Sequence, residues 1–444
     1  LSPCAGFRGV GRYGSRIDWR TAPNYSEILT AMNERSTKGS LAVIFLTVFI
    51  DLLGFGMVLP LLPIYADHFI EDETGVWLGL LMASFSVMQL IFSPFWGRLS
   101  DRIGRRPVLM IGLAGSVAFY TLFGVATILQ SYWLLLASRI GAGIAGATIS
   151  TAQAYIADST SLAERPRGMA LIGMAFGLGF TFGPLFGFLA VPYEGAPPGP
   201  WPGYAAAILS AVALGMAAFL LPESLQPGRN GAFRELIDRA GFRRAIATPS
   251  IGVLLLAIFV CVFSFANFET TLSLLIKGDQ ESSSPFTFSW GQVCLTYAYI
   301  GLTLALVQGG LVRRLAKRAS EGSLSVAGGG IQLLGFVLMI AAVAQGSARL
   351  LIGALAVVVT GFAFMQPMLN SLLSRRTDPH QQGAVLGVGQ SVNALARIAG
   401  SGLGIPLLRI GLQTPYYTAA GMMALGVVLV LVAVRGGKDF PQEP

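Results

Sequence analysis

The sequence predicts an all-α membrane protein: twelve transmembrane helices in two pseudo-symmetric six-helix bundles. Three observations carry this reading. First, 54% of the 444 residues are hydrophobic and 12% are charged, against about 25% charged in an ordinary soluble domain. Second, the apolar residues fall in runs matching the roughly 20 residues a helix needs to cross a bilayer. Third, the 30 Lys and Arg residues gather in short clusters between those runs.

In chain order, the first six runs are 41–66, 77–97, 107–129, 132–156, 169–191 and 203–221. The second six are 251–276, 287–312, 324–345, 349–371, 383–408 and 413–434. The chain therefore divides into an N-terminal tail (1–40), a first bundle (41–221), a linker (222–250), a second bundle (251–434) and a C-terminal tail (435–444). An open sheet cannot span lipid, and these runs are too long for barrel strands. The 55 glycines suit helices that approach closely in a bilayer. Of the basic residues, 25 lie in the two tails and the even-numbered loops; only Lys277, Arg349 and Arg409 lie on the other side. Basic residues collect on the cytoplasmic face, so both termini are expected there. The Arg-rich "FRGVGRYGSRIDWR" near the start reads either as a tail or upstream sequence, or as a targeting segment.

"GGLVRRLAKR" at 309–318 aligns without gaps on "GRLSDRIGRR" at 97–106. Each follows the second run of its half, which points to duplication. Arg313 stands where Asp101 stood, and Ala316 where Gly104 stood.

The net charge of +8 does not indicate nucleic acid, because the basic residues follow membrane topology. Cys4, Cys261 and Cys294 show no ligand spacing, and two histidines make no metal site. No nucleophile–base constellation or cofactor motif stands out. Neither enzyme action, a cofactor nor a metal is expected.

Charged residues inside spans are costly unless paired or functional. There are two acids, Asp51 and Glu269, and two arginines, Arg139 and Arg397. They are expected to pair within each half, Asp51 with Arg139 and Glu269 with Arg397. One reading is salt bridges that serve packing; the other is a titrating carboxylate held near an arginine. Gln308, Gln366, Asn370, Gln390 and Asn393 either line a polar cavity or join helices.

"GRLSDRIGRRP" resembles the signature loop between helices 2 and 3 of the major facilitator superfamily, at Gly97, Leu99, Asp101, Arg102, Gly104, Arg105 and Arg106. "GFTFGPLFG" resembles the helix-5 motif of its drug/proton antiporters, with Gly179, Gly183, Pro184 and Gly187 in register. "SRIGAGIAGA", around Arg139, resembles the helix-4 motif. "DLLGFGMVLPLLP" and "HQQGAVLG" are similar to the tetracycline/proton antiporter branch. The sequence departs from that branch at Phe119, where a helix-3 acid is expected, and in helix 9, which has no acid.

The resemblance implies a major facilitator fold and a cytoplasmic latch, in which Asp101 meets the start of helix 11 near Gly383 and Asp158 takes Arg105. A carboxylate at a helix N-terminus meets free N–H groups and the positive dipole end. The glycines of helix 5 serve close packing, and the resemblance adds a seal against proton leak between the halves.

The leading functional reading is a proton-coupled antiporter that exports small amphiphilic molecules or drugs. It would be a functional monomer in a bacterial inner membrane, with a small-molecule substrate, protons and the bilayer as partners. The alternatives are a same-fold importer or exchanger of organic anions or metabolites, and a non-transporting receptor or scaffold.

Overall fold

The computed structural model describes residues 25–160, 165–191, 199–225, 249–278, 284–316, 318–377 and 382–436. Most of the linker, the C-terminal tail from 437, and residues 1–24 with the candidate targeting segment lie outside the described residues. Among the described residues, fourteen α-helices of eight residues or more carry the fold. In the first half these are α1 (Tyr25–Val58), α2 (Leu62–Phe69), α3 (Val76–Ile103), α4 (Arg105–Ile128), α5 (Tyr132–Gly146), α6 (Ile149–Asp158), α7 (Arg165–Ala190) and α8 (Trp201–Leu220). In the second they are α9 (Pro249–Lys277), α10 (Trp290–Leu306), α11 (Glu321–Gln345), α12 (Ala348–Arg375), α13 (Gln382–Ile410) and α14 (Thr414–Gly436). Among the described residues there is no strand.

Two expected spans are each split in two. Pro60 lacks an N–H and ends α1; Pro63, at the start of α2, suits a first helical turn. The "GAGIAGAT" stretch separates α5 from α6, and α3 caps the released carbonyls. Trp96 Nε1 donates to Ile144 O at 2.7 Å and Gln89 Nε2 to Gly146 O at 3.4 Å. α1 starts at Tyr25, well before the expected boundary at 41, so part of the supposed tail continues the helix. Beyond α10 the chain widens into a π-helical segment, Val307–Val312, around Gly309 and Gly310.

Eleven of the expected spans are both long and apolar enough to cross a membrane among the described residues. The span carried by α13 is 29 residues long but holds Gln390, Asn393 and Arg397, which keep it out of that group. Large side chains such as Phe219, Leu189 and Ile410 face outward, as helices meeting lipid require.

The largest core joins the halves. Val58, Leu61, Tyr65 and Phe123 pack in one cluster with Leu254, Phe268 and Trp290. Further joins lie at the same end of the bundle, away from the Arg-rich loops. A Cβ on Gly79 would fall 3.1 Å from the Gly402 carbonyl carbon, one on Gly75 2.8 Å from that of Ile405, and one on Gly291 2.8 Å from the Phe188 ring. Arg409 also pairs with Asp67 across the halves. At the basic end, Arg105 pairs with Asp158 and Arg375 with Glu321, each within its own half. The molecule is closed at one end and hollow toward the other.

Candidate functional site

Between the halves lies a cavity of about 440 Å³. Its wall is aromatic where α1, α3 and α7 supply Phe55, Phe85 and Phe180, and polar toward the basic end. Gln308, Gln366, Asn370, Gln390 and Asn393 all line it, with Glu269 and Arg397. Gln308 sits in the π-helical segment, a distortion often found at functional sites.

Glu269 and Arg397 meet on this wall. Arg397 Nη2 donates to Glu269 Oε2 at 3.4 Å, and the side chains are 39% and 16% exposed. The approach depends on small residues: a Cβ on Gly400, one turn from Arg397, would lie 2.6 Å from the Phe263 carbonyl oxygen on α9. Tyr297 of α10 anchors the same turn by donating to the Glu269 carbonyl at 2.7 Å.

The expected partner pair in the first half does not form. Asp51 accepts from Ser210 of α8 at 3.1 Å and is not among the residues lining the cavity. Arg139 is 2% exposed. Its guanidinium lies 4.6 Å from the centre of the Phe85 ring and 5.6 Å from that of Phe55. The aromatic faces take the place in which the carboxylate was expected. Similar depth along two helices does not fix rotational phase: Asp51 turns toward α8 and Arg139 toward α1 and α3. Nε and Nη1 of Arg139 are buried and have no acceptor among the described residues. Arg139 lines a small annex of about 30 Å³, whose wall also contains Glu269, Arg397, Phe55 and Phe85, so it adjoins the main cavity.

At the signature loop, Arg105 is buried and central. Its Nη1 pairs with Asp101 at 2.6 Å and its Nε with Asp158 at 3.0 Å. Asp101 thus closes onto its own half, with its side chain 49% exposed; the side chains of 382–384, around the expected docking point, lie outside the described residues. Gly104 adopts φ +108, and Gly97 faces Ser150 across α6 at 4.0 Å. Arg102 is exposed on the last turn of α3, while Arg106 reaches the Ala218 carbonyl. The sequence reading missed Glu223, which accepts from the backbone N–H groups of Arg105 at 2.9 Å and Arg106 at 3.1 Å. It caps α4 in the way expected of Asp101 elsewhere. The available signal was an acid directly after the last apolar residue of a span.

The glycines of α7 pack mainly on α1 of their own half. A Cβ on Gly183 would lie 2.7 Å from Gly56 Cα, and one on Gly179 2.8 Å from Leu52 Cβ. A Cβ on Gly187 would also lie 3.5 Å from Cys294 Sγ of the other half, while Pro184 lines the cavity. α7 and α10 also meet at Gly301, where an added Cβ would sit 2.5 Å from the Phe180 carbonyl oxygen. Nothing in the sequence marked Gly301 among so many glycines.

The family model for the Major Facilitator Superfamily matches residues 44–401. Similar proteins include the class D tetracycline resistance protein of Salmonella ordonez, 32% identical over 81% of this chain and 87% of that one. Major facilitator superfamily domain-containing protein 10 of Homo sapiens is 30% identical over 87% of this chain and 91% of that one. A solved structure described as the human organic anion transporter MFSD10 (TETRAN) aligns with a TM-score of 0.65 at 28% identity, covering 89% of this chain and 99% of that one. A D-xylose-proton symporter, 17% identical, shares the fold with a TM-score of 0.68 over 93% and 98%. The paired bundles, the signature loop and these similarities together place the chain in the Major Facilitator Superfamily, as an integral membrane transporter of small molecules rather than an enzyme.

Proposed function

We propose that the chain is a proton-coupled secondary transporter that moves amphiphilic organic anions by alternating access, with its basic end in the cytoplasm. The observation that carries this reading is the Glu269–Arg397 pair on the cavity wall. The charged residues lining cavity and annex are Arg139, Arg397 and Glu269. Two arginines against one acid leave a positive charge in a low-dielectric site, which is costly until an anion compensates it. The similarity to the human organic anion transporter MFSD10 supports the same substrate class.

Coupling follows from like-charge repulsion. Glu269 is faced by Arg397 from α13, Tyr297 from α10 and, across the annex, Arg139 from α5. An anionic guest beside an ionised Glu269 is repelled, so it binds best when Glu269 carries a proton. Proton and anion then cross together as the halves rock. The sequence has no phosphate-binding loop of the GxxxxGK[ST] kind, so an ion gradient is the natural energy source.

The test uses the purified chain in vesicles with an imposed pH gradient. Wild type should take up a fluorescent organic anion several-fold faster when the anion's side is made one pH unit more acidic. Glu269→Gln should move it at the same rate at both values. Gradient-driven accumulation by Glu269→Gln at the wild-type rate would sink the reading. The similarity to tetracycline resistance proteins favours a second reading, antiport export of neutral or cationic amphiphiles, in which Glu269 yields its proton as the guest arrives. The same vesicles distinguish the two by sign, since protons then move against the substrate.

A further inference from the structure

We infer that Arg139 is the anchor for the substrate's acid group, and that the guest is an aromatic monocarboxylate. The inference deepens the organic-anion reading above and rests on it. Three features of the site carry it.

The first is the state of the guanidinium. Arg139 is 2% exposed, and its buried Nε and Nη1 have no acceptor among the described residues. A buried donor without an acceptor is costly, and more so when charged. Arg397 is in a different position, because Glu269 already takes its Nη2. Of the two arginines, Arg139 is the one whose buried donors lack an acceptor.

The second is the size of the annex that Arg139 lines. The annex holds about 30 Å³, more than the roughly 10–15 Å³ that one water needs on the same measure. A carboxylate head is small, planar and singly charged. A tetrahedral phosphate is bulkier and brings a second negative charge next to Glu269.

The third is what surrounds the annex. Phe55 and Phe85 lie 4.8 Å apart with their planes tilted by 33°, both on one side of the guanidinium, and this aromatic stack also lines the main cavity. A ring attached close to the carboxylate would continue that stack into the cavity, where Phe180, Phe265, Phe268 and Phe362 form further wall. Aromatic rings favour such offset and edge-on contacts. Arg139 is also 2% exposed, so its side chain is already held in place and little freedom is lost on binding.

The experiment measures binding of 2-naphthoate and its neutral analogue 2-naphthamide to the purified full chain in lipid nanodiscs by titration calorimetry. Wild type should prefer the carboxylate by at least tenfold. Arg139→Gln should bind both compounds alike, at the level of the wild-type amide, while Arg397→Gln keeps the preference. Equal binding of the two compounds by wild type overturns the inference. So does a preference that survives Arg139→Gln but is lost in Arg397→Gln. Should Arg139→Gln fail to fold, Arg139→Lys decides: its compact ammonium cannot reproduce the planar stack, so the preference should fall several-fold, and an unchanged preference overturns the inference. Failure of the coupling reading stays separate. A Glu269→Gln protein that keeps its pH dependence while Arg139→Gln loses the preference contradicts the coupling and leaves the anchor intact.

Discussion

Gly97 and Gly104 belong to the same loop signature, yet the structure gives them opposite requirements. Gly104 sits at φ +108, and a Cβ there would lie 2.4 Å from Glu223 Oε2. Gly104→Ala should cost about 1–3 kcal/mol in backbone strain, and more if Glu223 lets go of the α4 N-terminus. Gly97 is helical, and the nearest atom an added Cβ would meet is Ser150 Oγ at 4.0 Å, so Gly97→Ala should be neutral or stabilising by up to about 1 kcal/mol. Thermal melting in detergent reads both; equal shifts would refute the distinction. A second residue-level contrast separates the two buried acids. Asp51 bonds Ser210 away from the cavity, so Asp51→Asn should leave the pH dependence of transport in place, whereas Glu269→Gln should remove it. The sequence singled out Gly104, Asp101 and both acids, because glycines at a tight turn and charges in apolar runs are conspicuous. It could not show that Arg139 rests on Phe55 and Phe85, because which way a helix face turns depends on packing partners far away in sequence.

Elements were more legible than contacts. Apolar runs gave the spans, including α13 with its polar residues, because length and flanking basic clusters survive a few amides. The π-helical turn at Val307–Val312 and the continuation of α1 back to Tyr25 leave no such trace: both change helical hydrogen bonding without changing hydropathy. The duplicated loop was visible in Gly309–Arg318, but the second half staples its helices with reversed polarity. Arg105 at the start of α4 meets Asp158 at the end of α6, whereas Glu321 at the start of α11 meets Arg375 at the end of α12 at 3.1 Å. At the α7–α10 junction, Gly301 lets two backbones touch, and a side chain there would meet a carbonyl that cannot move aside. Gly301→Val should therefore push α10 off α7. The chain carries its own probe, since Cys294 is fully buried near this junction and Cys261 is buried elsewhere. With Cys4 replaced by Ser, Cys294 should react with a thiol reagent several-fold faster in Gly301→Val, while Cys261 should not. Gly215→Ala, with open space around it, is the control. Unchanged Cys294 reactivity would show that the junction tolerates the wedge.

Across the whole molecule, the contacts between halves gather at the end away from the basic loops, and the cavity reaches toward the basic end. Alternating access requires that closed end to part. Asp67 on α2 and Arg409 on α13 form an ion pair across it, with side chains 29% and 35% exposed. A pair that exposed contributes only about 0.2–1 kcal/mol, too little to hold the halves shut by itself. The tight seam of Gly79 against Gly402 and the core around Tyr65 and Trp290 supply the rest. Asp67→Asn should therefore shift the balance between conformations only modestly, whereas a covalent tie at the same place should abolish it. With Asp67 and Arg409 both replaced by Cys and joined by a short reducible cross-linker, transport should stop, and it should recover when the link is reduced. Substrate should still bind to the tied protein from the basic end, because the cavity already reaches that way. A cross-linked protein that transports at the wild-type rate would mean that this end never opens, and the rocking of the two halves would have to be abandoned as the mechanism.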